Sequence, residues 1–372
     1  MDEEGMAKMK QSSLACGADD RSGMVGNSIP ERFREYLVGK LGFEDVVVYR
    51  AEPLFGGFSR ESWRIDAGWL TANGARTERS MILRMDPPSS LHESNRRIEY
   101  AMYKAFWPVP GVPVPEPLFI EDDPGLLGMP FFVMSRLDGV AWPGELRKPI
   151  YKEKWSGIAR QMFEILGLIA AQDYCDLGLA DVLAVPSVDD AWAMQLDYWE
   201  KIIRDHDIGP LPVTSAVIRK LRREPPPAAS KVSVVHGDYR IGNYLYSPEG
   251  IIGILDWELA HLGDPIEDLA WSFARNWHFE AAPGKVAGKL LPDEAIRIWE
   301  DVSGLKVDRN ALRWWTLFTH VKAYAMWVSA AHRAATDSAR RLVNTDAAWK
   351  NMYAQELWML EGVYSINNKS QM

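Results

Sequence analysis

The chain has 372 residues, 47% hydrophobic and 25% charged, so it is long enough to form two lobes or domains with real cores. Its formal net charge of −9 argues against a nucleic-acid partner. No apolar run approaches the roughly 18 residues of a membrane span, and the acidic N-terminus does not resemble a secretion signal. Because Cys16 and Cys175 form neither a metal pattern nor a disulfide framework, we expect a cytoplasmic protein.

The N-terminal 28 residues are rich in Gly, Ser, Lys and Asp, a composition that predicts a mobile tail. Ser28-Ile29-Pro30-Glu31 then has the pattern of a helix start, with Ser as the cap and Pro in the first turn. We therefore expect ordered structure to begin at about this helix.

A β-branched run, Val46 to Tyr49, predicts a strand that leads towards Gly56, Gly57, Phe58 and Ser59. A Gly-Gly turn lets backbone N–H groups approach phosphate oxygens closely, so these four residues are candidates for nucleotide binding. Hairpins also use Gly-Gly for geometric reasons, and that alternative stays open. The chain contains neither a Walker A loop nor a Gly-x-Gly-x-x-Gly dinucleotide fingerprint.

A second predicted strand, Ser80 to Arg84, precedes a predicted amphipathic helix from His92 to Trp107. Its apolar stripe consists of Ile98, Ala101, Met102, Ala105 and Phe106. Glu99 flanks this stripe, so its carboxylate is expected at the border of burial, where it needs a cation. Arg84 is the candidate partner. The alternative is a surface ion pair worth under about 1 kcal/mol.

Further along the chain, Met129 to Met134 predicts a strand running into Ser135, and the following segment turns helical. A single-face apolar stripe there consists of Ile158, Met162, Ile165, Leu166 and Ile169. The sequence thus predicts strands in its first third and mainly helices after them.

The motif that carries most chemistry is His236-Gly-Asp-Tyr-Arg-Ile-Gly-Asn243, followed thirteen residues later by Asp256. An Asp can accept a proton from a substrate hydroxyl, while an Asn and a second Asp can hold magnesium against nucleotide phosphates. The alternative is that His236 and Asp238 only fix a turn. The presence of both potential metal ligands favours phosphoryl transfer.

The strands around this motif predict how its residues meet. Tyr244 to Tyr246 and Ile251 to Leu255 are expected to form a hairpin across a turn-rich tetrapeptide. If Tyr246 pairs with Ile251, Asn243 lies opposite Ile254 and Asp256 is one diagonal step away. Diagonal neighbours lie roughly 7–8 Å apart, within reach of one bridging cation.

These motifs resemble the aminoglycoside phosphotransferase family, whose members share the protein-kinase-like fold. The family signature is His-x-Asp-x-x-x-x-Asn with a later Ile/Val-x-Asp strand end, matched here by His236, Asp238, Asn243 and Ile254-Leu255-Asp256. The similarity continues through residues 263–270. The resemblance implies an α+β, bilobal fold with a small antiparallel-sheet N-lobe and a mostly helical C-lobe. The expected division is a tail (1–28), a nucleotide-binding N-lobe (29–136) and a C-lobe (137–372) that carries catalysis and acceptor binding.

The resemblance also implies ATP and magnesium as cofactors and a role for each motif residue. It makes Asp238 the catalytic base, with Asn243 and Asp256 as the magnesium ligands. Arg240 occupies the place where protein kinases carry a lysine facing the transferring phosphate. Asp264 is expected to brace the catalytic loop or to cap a helix.

In the N-lobe, the family places a lysine at the position of Arg84, paired with a helix glutamate that corresponds to Glu99. Arg keeps the charge but is bulkier than Lys. Phosphotransferase domains fused to acyl-CoA dehydrogenases often have Leu-Arg followed by a Pro-rich turn here, as residues 83–88 do. The family hinge implies that adenine bonds the Ser135 carbonyl and the Leu137 amide.

Composition bears on the acceptor, which is expected to be a small molecule with a hydroxyl group. Eight of the 16 tryptophans lie between Trp271 and Trp358, and most should be core. So many apolar faces near an active site favour a hydrophobic acceptor. Residues 271–358 carry 12 Lys/Arg against 9 Asp/Glu, which suits a neutral or anionic acceptor better than a polycationic one. An ordinary solvated helix face explains that charge equally well.

Three functional hypotheses therefore stay open within this frame. The first is a kinase for a hydrophobic or anionic alcohol such as a hydroxyacyl-CoA. The second is a kinase that inactivates an antibiotic or another xenobiotic alcohol. The third is a pseudokinase-like module that binds nucleotide without catalysis, suggested by Arg84 in place of lysine.

Overall fold

The computed structural model describes residues 28–54, 61–71, 73–86, 96–141, 143–206, 209–277, 284–336 and 342–369. These residues form an α+β protein with two lobes, a sheet-rich N-lobe and a mostly helical C-lobe, as the sequence predicts. The predicted tail and the Gly56–Ser59 turn lie outside the described residues. The exact lobe boundaries, 29–136 and 137–372, stay a prediction.

The N-lobe is a five-stranded antiparallel sheet flanked by two longer helices. Its strands, in the spatial order β1-β2-β3-β5-β4, are β1 (Glu44–Leu54), β2 (Glu61–Leu70), β3 (Arg76–Met85), β4 (Pro117–Glu121) and β5 (Phe131–Ser135). Its helices are α1 (Ile29–Gly39), α2 (Arg96–Phe106) and the short α3 (Pro124–Leu127). The predicted helix start is present at α1, where Ser28 and Glu31 form a capping box. The sheet face towards α1 forms an apolar core that includes Phe33, Met81 and Phe131.

The C-lobe consists of helices around two short sheets. The helices are α4 (Pro149–Lys152), α5 (Trp155–Ala171), α6 (Ala191–Asp205), α7 (Pro212–Arg223), α8 (Ile266–Ser272), α9 (Pro292–Ser303), α10 (Arg309–Thr336) and α11 (Leu342–Lys369). The strands are β6 (Ser233–Val235), β7 (Tyr244–Ser247), β8 (Gly250–Ile254) and β9 (His261–Gly263), with β6 paired to β9 and β7 to β8. The helix stripe predicted from Ile158 onwards faces the large C-lobe core.

The catalytic hairpin β7–β8 shows one difference from the predicted register. Tyr246 pairs with Ile251 as expected, but Leu245 pairs with Gly253, so Ile252 is an extra residue on β8. This bulge shifts the pairing by one, and Tyr244, not Asn243, lies opposite Ile254. The Asn243 carbonyl instead accepts the Leu255 N–H at 2.8 Å. The predicted Asn243–Ile254 pairing was therefore wrong by one residue.

The lobes meet where the chain leaves β5 and runs along the catalytic hairpin. Val140 and Tyr246 exchange two backbone hydrogen bonds of 3.0 Å, so this connection continues the β7–β8 sheet. A second link is the stacking of Phe106, at the end of α2, on Trp257 with ring centres 4.9 Å apart. Helix α2 is thereby fixed against the segment that carries Asp256. None of the helices in the described ranges is both long enough and apolar enough for a membrane crossing.

Candidate active site

The catalytic loop leaves the buried strand β6 through Gly237, and its backbone geometry requires glycine there. Gly237 has a φ of 82°, and a Cβ at this position would lie 2.3 Å from the Leu259 carbonyl oxygen. The side chains before and after it, His236 and Asp238, are both buried. The loop is thus held in one conformation by its own sequence.

A carboxylate on α8 fixes the start of this loop. Asp268 accepts the His236 backbone N–H at 2.6 Å and the Gly237 N–H at 3.0 Å. Burial, with a further contribution from Glu267, raises the pKa of Asp268 to about 6. Asp264 was expected to brace the catalytic loop or to cap a helix, and its contacts match the second role, because it accepts the N–H of Ile266, the first residue of α8, and the Trp315 indole N–H. Asp268 is the residue that braces the loop.

The proposed base, Asp238, is only 8% exposed and is surrounded by hydrogen-bond donors. The Asn243 side-chain amide donates to its Oδ2 at 2.7 Å, and the Trp271 indole N–H donates to its Oδ1 at 2.8 Å. Arg240 Nε lies 3.0 and 3.1 Å from the two carboxylate oxygens. Donors from three different side chains thus fix the orientation of this carboxylate, as a group placed to accept a proton requires.

His236 supports the loop as a neutral side chain. Its Nδ1 accepts the Asp238 backbone N–H at 3.2 Å, so its Nε2 carries the proton and donates to the Leu255 carbonyl at 3.0 Å. Burial lowers the pKa of His236 to about 4. This histidine therefore ties the catalytic loop to the strand end before Asp256 and has no charge at neutral pH.

The two predicted metal ligands flank this strand end. Because the Asn243 amide nitrogen donates to Asp238, its amide oxygen is the atom left for a cation. Asp256 has a left-handed backbone conformation (φ 68°, ψ 51°), which Asp tolerates better than most residues. Burial opposes ionisation of Asp256, but Arg84 outweighs it and lowers the pKa. An amide oxygen and an ionised carboxylate suit magnesium. Within the described ranges, no three His, Cys, Asp or Glu side chains cluster as a metal site.

Arg84 connects the N-lobe helix with Asp256. Its guanidinium lies 2.9 Å from Glu99 and 3.0 Å from Asp256, so the predicted Arg84–Glu99 ion pair is present and a second partner joins it. Glu99 was expected at the border of burial, but it is 0% exposed because α2 packs against both β5 and the Trp257 segment. The two carboxylates raise the pKa of Arg84 although burial opposes its charge. A surface ion pair is thereby excluded.

The remaining predicted nucleotide residues are at the lobe connection or outside the described chain. Ser135 ends β5, where its side-chain oxygen accepts the Glu116 N–H at 2.9 Å. Leu137 follows it and packs on Gly253 of β8, so both residues line the junction of the lobes. The contacts predicted for Gly56, Gly57, Phe58 and Ser59 cannot be placed. The nucleotide roles of Ser135 and Leu137 stay a prediction.

A buried ion pair behind the loop was missed by sequence analysis. Lys322 of α10 donates to Glu267 of α8 at 2.9 Å, and both side chains are 1% exposed. His261 contacts the other Glu267 oxygen at 3.1 Å. Burial alone would raise the pKa of Glu267, but Lys322 and His261 lower it. Fifty-five residues separate this lysine from its partner, and no local pattern connects them.

Two tryptophans adjoin Asp238 and Arg240. The Arg240 guanidinium lies 4.5 Å from the centre of the Trp277 ring, and the Trp277 and Trp271 rings pack at an angle of 62° with their centres 5.4 Å apart. Trp299 and Trp315 are core residues, as expected for most of the group. Of the basic residues in the segment 271–358, Lys306 and Arg309 pair with acidic side chains of α9.

The family model described as the phosphotransferase enzyme family matches residues 61–305. That range contains the catalytic loop, both predicted metal ligands and the Arg84–Glu99 pair. It covers more than half of the chain.

Curated relatives share about half of this chain. Mouse acyl-CoA dehydrogenase family member 10 is 29% identical over 199 residues, which are 52% of this chain and 18% of the relative. Rat acyl-CoA dehydrogenase family member 11 is 27% identical over 200 residues, which are 51% of this chain and 24% of the relative. The match thus spans a quarter or less of these longer proteins.

Solved structures agree on the fold. A Ralstonia eutropha protein assigned to the aminoglycoside phosphotransferases superposes with a TM-score of 0.68 at 19% identity, covering 89% of this chain and 98% of that one. The aminoglycoside phosphotransferase APH(4)-Ia, in a complex with ADP and hygromycin B, gives 0.53 at 17% identity, covering 87% and 97%. With the family match and the catalytic loop described above, these similarities lead to one conclusion: the chain belongs to the phosphotransferase enzyme family.

Proposed function

We propose that this protein is an ATP- and magnesium-dependent kinase that phosphorylates a hydroxyl group of a small molecule. The observation that carries the proposal is the arrangement around Asp238. A buried carboxylate receives donors on both oxygens, and one of these donors is the side chain of the candidate metal ligand Asn243. Such a carboxylate is preorganised for one proton transfer at one place.

Each residue has a distinct part in this mechanism. Asp238 orients the acceptor hydroxyl and accepts its proton as the acceptor oxygen bonds to the γ-phosphorus of ATP, while the bond from that phosphorus to the bridging oxygen breaks and ADP leaves. Arg240, stacked on Trp277, offers a positive charge beside the base to the transferring phosphate. Arg84 holds the nucleotide phosphates from the N-lobe side and is itself held by Glu99.

Asn243 and Asp256 are the residues that would hold magnesium. The ion, when bound, neutralises charge on the nucleotide phosphates. Two features support a cation here. The available ligand atoms are an amide oxygen and a carboxylate, and the Asp256 carboxylate already binds one positive charge, the guanidinium of Arg84 at 3.0 Å. ATP as the nucleotide is supported by the ADP complex of APH(4)-Ia and by an AMP-PNP complex of the same enzyme.

The base assignment is tested by Asp238→Ala in an assay of magnesium-dependent ADP release. The variant should lose turnover while it still binds ATP, because the nucleotide contacts are on other residues. Asp293→Ala is the matched control, since it removes a carboxylate that is 75% exposed on α9. Retained turnover in Asp238→Ala would refute the base assignment.

For the acceptor, we propose a hydrophobic or anionic alcohol such as a hydroxyacyl-CoA. Two observations support this class. The indoles of Trp271 and Trp277 adjoin the base and Arg240, and the curated relatives carry the name acyl-CoA dehydrogenase family members. Of these two rings Trp277 is partly exposed, and an exposed indole beside one cation suits an acyl chain with an anionic group.

The alternative acceptor is an antibiotic or another xenobiotic alcohol. It is favoured by the structural relatives, which include complexes with hygromycin B and with kanamycin and a macrolide 2'-phosphotransferase from Brachybacterium faecium. A panel of hydroxyacyl-CoA thioesters, aminoglycosides and macrolides separates the two classes. The class whose members saturate the enzyme at the lowest concentration, with the highest kcat/KM, contains the acceptor.

The third hypothesis, a pseudokinase-like module, rested on Arg84 in place of lysine. Arg84 makes the ion pair with Glu99 that the family lysine would make, which supports an active enzyme. A protein that binds ATP but releases no ADP with any acceptor of the panel would instead favour the module.

A further inference from the structure

Two side chains of helix α8 bind the catalytic loop. One binds backbone N–H groups of the loop, and the other binds the side chain of Asp238. Asp268 accepts N–H groups of the loop, while Trp271, one helical turn later, donates its indole N–H to Asp238 at 2.8 Å. Side chains three apart lie on the same helix face. The same face of α8 therefore fixes both the loop and its carboxylate.

The Trp271 ring is itself held on several sides. It is 1% exposed, the edge of Trp277 lies against it, and the Lys322 ammonium is 4.9 Å from its ring centre. Lys322 is in turn fixed by Glu267. The ring cannot rotate without breaking these contacts, so its N–H has one direction.

We propose that Trp271 is a positioning residue for the base, a role that rests on the proposed function. Its N–H binds Asp238 Oδ1 while Asn243 binds Oδ2. With a donor on each oxygen, the carboxylate plane is fixed relative to the acceptor hydroxyl. Removing the Trp271 donor leaves Asn243 on Oδ2 and Arg240 shared between both oxygens, so the carboxylate is held less firmly in its plane, and misplaced catalytic groups lose rate.

Trp271→Phe removes the N–H and keeps a large ring, and the chain offers a matched control. Trp315 is 0% exposed and donates its N–H to Asp264 at 2.8 Å, so Trp315→Phe deletes the same kind of bond away from the base. We expect kcat to fall about tenfold to a hundredfold in Trp271→Phe, with an unchanged KM for ATP. Trp315→Phe should keep kcat near the wild-type value. Equal kcat values in the two variants would overturn the role.

A second measurement does not depend on turnover. In a spectrum of ¹⁵N-labelled indole groups, the Trp271 signal is the one absent from Trp271→Phe. In Asp238→Ala this signal should shift and its N–H should exchange faster with solvent, because its acceptor is gone. An unaffected signal would overturn the inference, even if no acceptor is ever found. If the wild type shows no turnover but the Trp271 signal still shifts in Asp238→Ala, the hydrogen bond stands and only the proposed function is contradicted.

Discussion

The buried Lys322–Glu267 pair gives the most informative stability prediction. Replacing Lys322 with Met keeps the length and most of the volume of the side chain but removes the ammonium. Glu267 then remains 1% exposed with only His261 against its carboxylate. The chain supplies its own control in Lys306, which pairs with Glu300 at 3.1 Å but is 80% exposed. The two pairs differ mainly in burial.

The magnitude follows from that difference. Removing one partner of a buried pair costs about 3–5 kcal/mol of unfolding free energy, because the remaining charge has no solvent. An exposed pair is worth about 0–1 kcal/mol. We therefore expect Lys322→Met to destabilise the protein by about 3–5 kcal/mol and Lys306→Met by about 1 kcal/mol or less.

The pH dependence has a definite sign. The pKa of Glu267 is lowered in the folded protein, so its pairing contributes stability above the unfolded pKa and loses it as the pH falls. The penalty of Lys322→Met should therefore be largest at neutral pH and should shrink as the pH falls from about 4.5, the ordinary pKa of Glu, towards about 2, the pKa of Glu267 in the folded protein. Urea unfolding at about pH 7 and about pH 3 measures both quantities. Equal penalties for the two lysine variants at pH 7 would refute the reasoning.

Three further predictions concern the loop, the lobe junction and a second histidine. Gly237→Ala should prevent folding of the catalytic loop, because its Cβ would lie 2.3 Å from the Leu259 oxygen; a wild-type melting temperature and turnover would contradict this. Arg84→Ala should cost about 3–5 kcal/mol in urea unfolding, since it removes the guanidinium that faces the buried Glu99, and a loss below about 1 kcal/mol would indicate a solvated pair. Burial lowers the pKa of His320 to about 4, so wild-type stability should fall by about 2 kcal/mol from pH 7.5 to pH 5 through this residue, and His320→Gln should lack that part of the loss.

Local sequence patterns predicted the elements around the site well. The capping pattern at Ser28, three of the N-lobe strands (β1, β3 and β5) and the hairpin after Asn243 all depend on neighbouring residues, and the structure has them. The family resemblance predicted the kinase-like fold. The bulge at Ile252 was not predicted because residues 250–254 contain only Gly and Ile, so the sequence shows no alternation that an extra residue would interrupt.

Long-range contacts explain what sequence reasoning missed. Glu99 flanks the apolar stripe of its own helix, and only the packing of α2 against the strand end near Asp256 buries it. Asp268 and Asp264 are equivalent in the sequence pattern, and their different partners emerge only when α8 is placed beside the loop. The role of Lys322 is similarly invisible within its helix.

The most direct test of the account is the position of a divalent ion. A crystal grown with an unreactive ATP analogue and Mn²⁺ gives an anomalous peak at each metal. The account predicts a peak at about 2.0–2.2 Å from the Asn243 amide oxygen and from an Asp256 oxygen, the coordination distance expected for a small divalent cation. That peak should disappear in Asp256→Ala. A metal bound elsewhere, with Asp256 still held by Arg84 alone, would contradict the central claim.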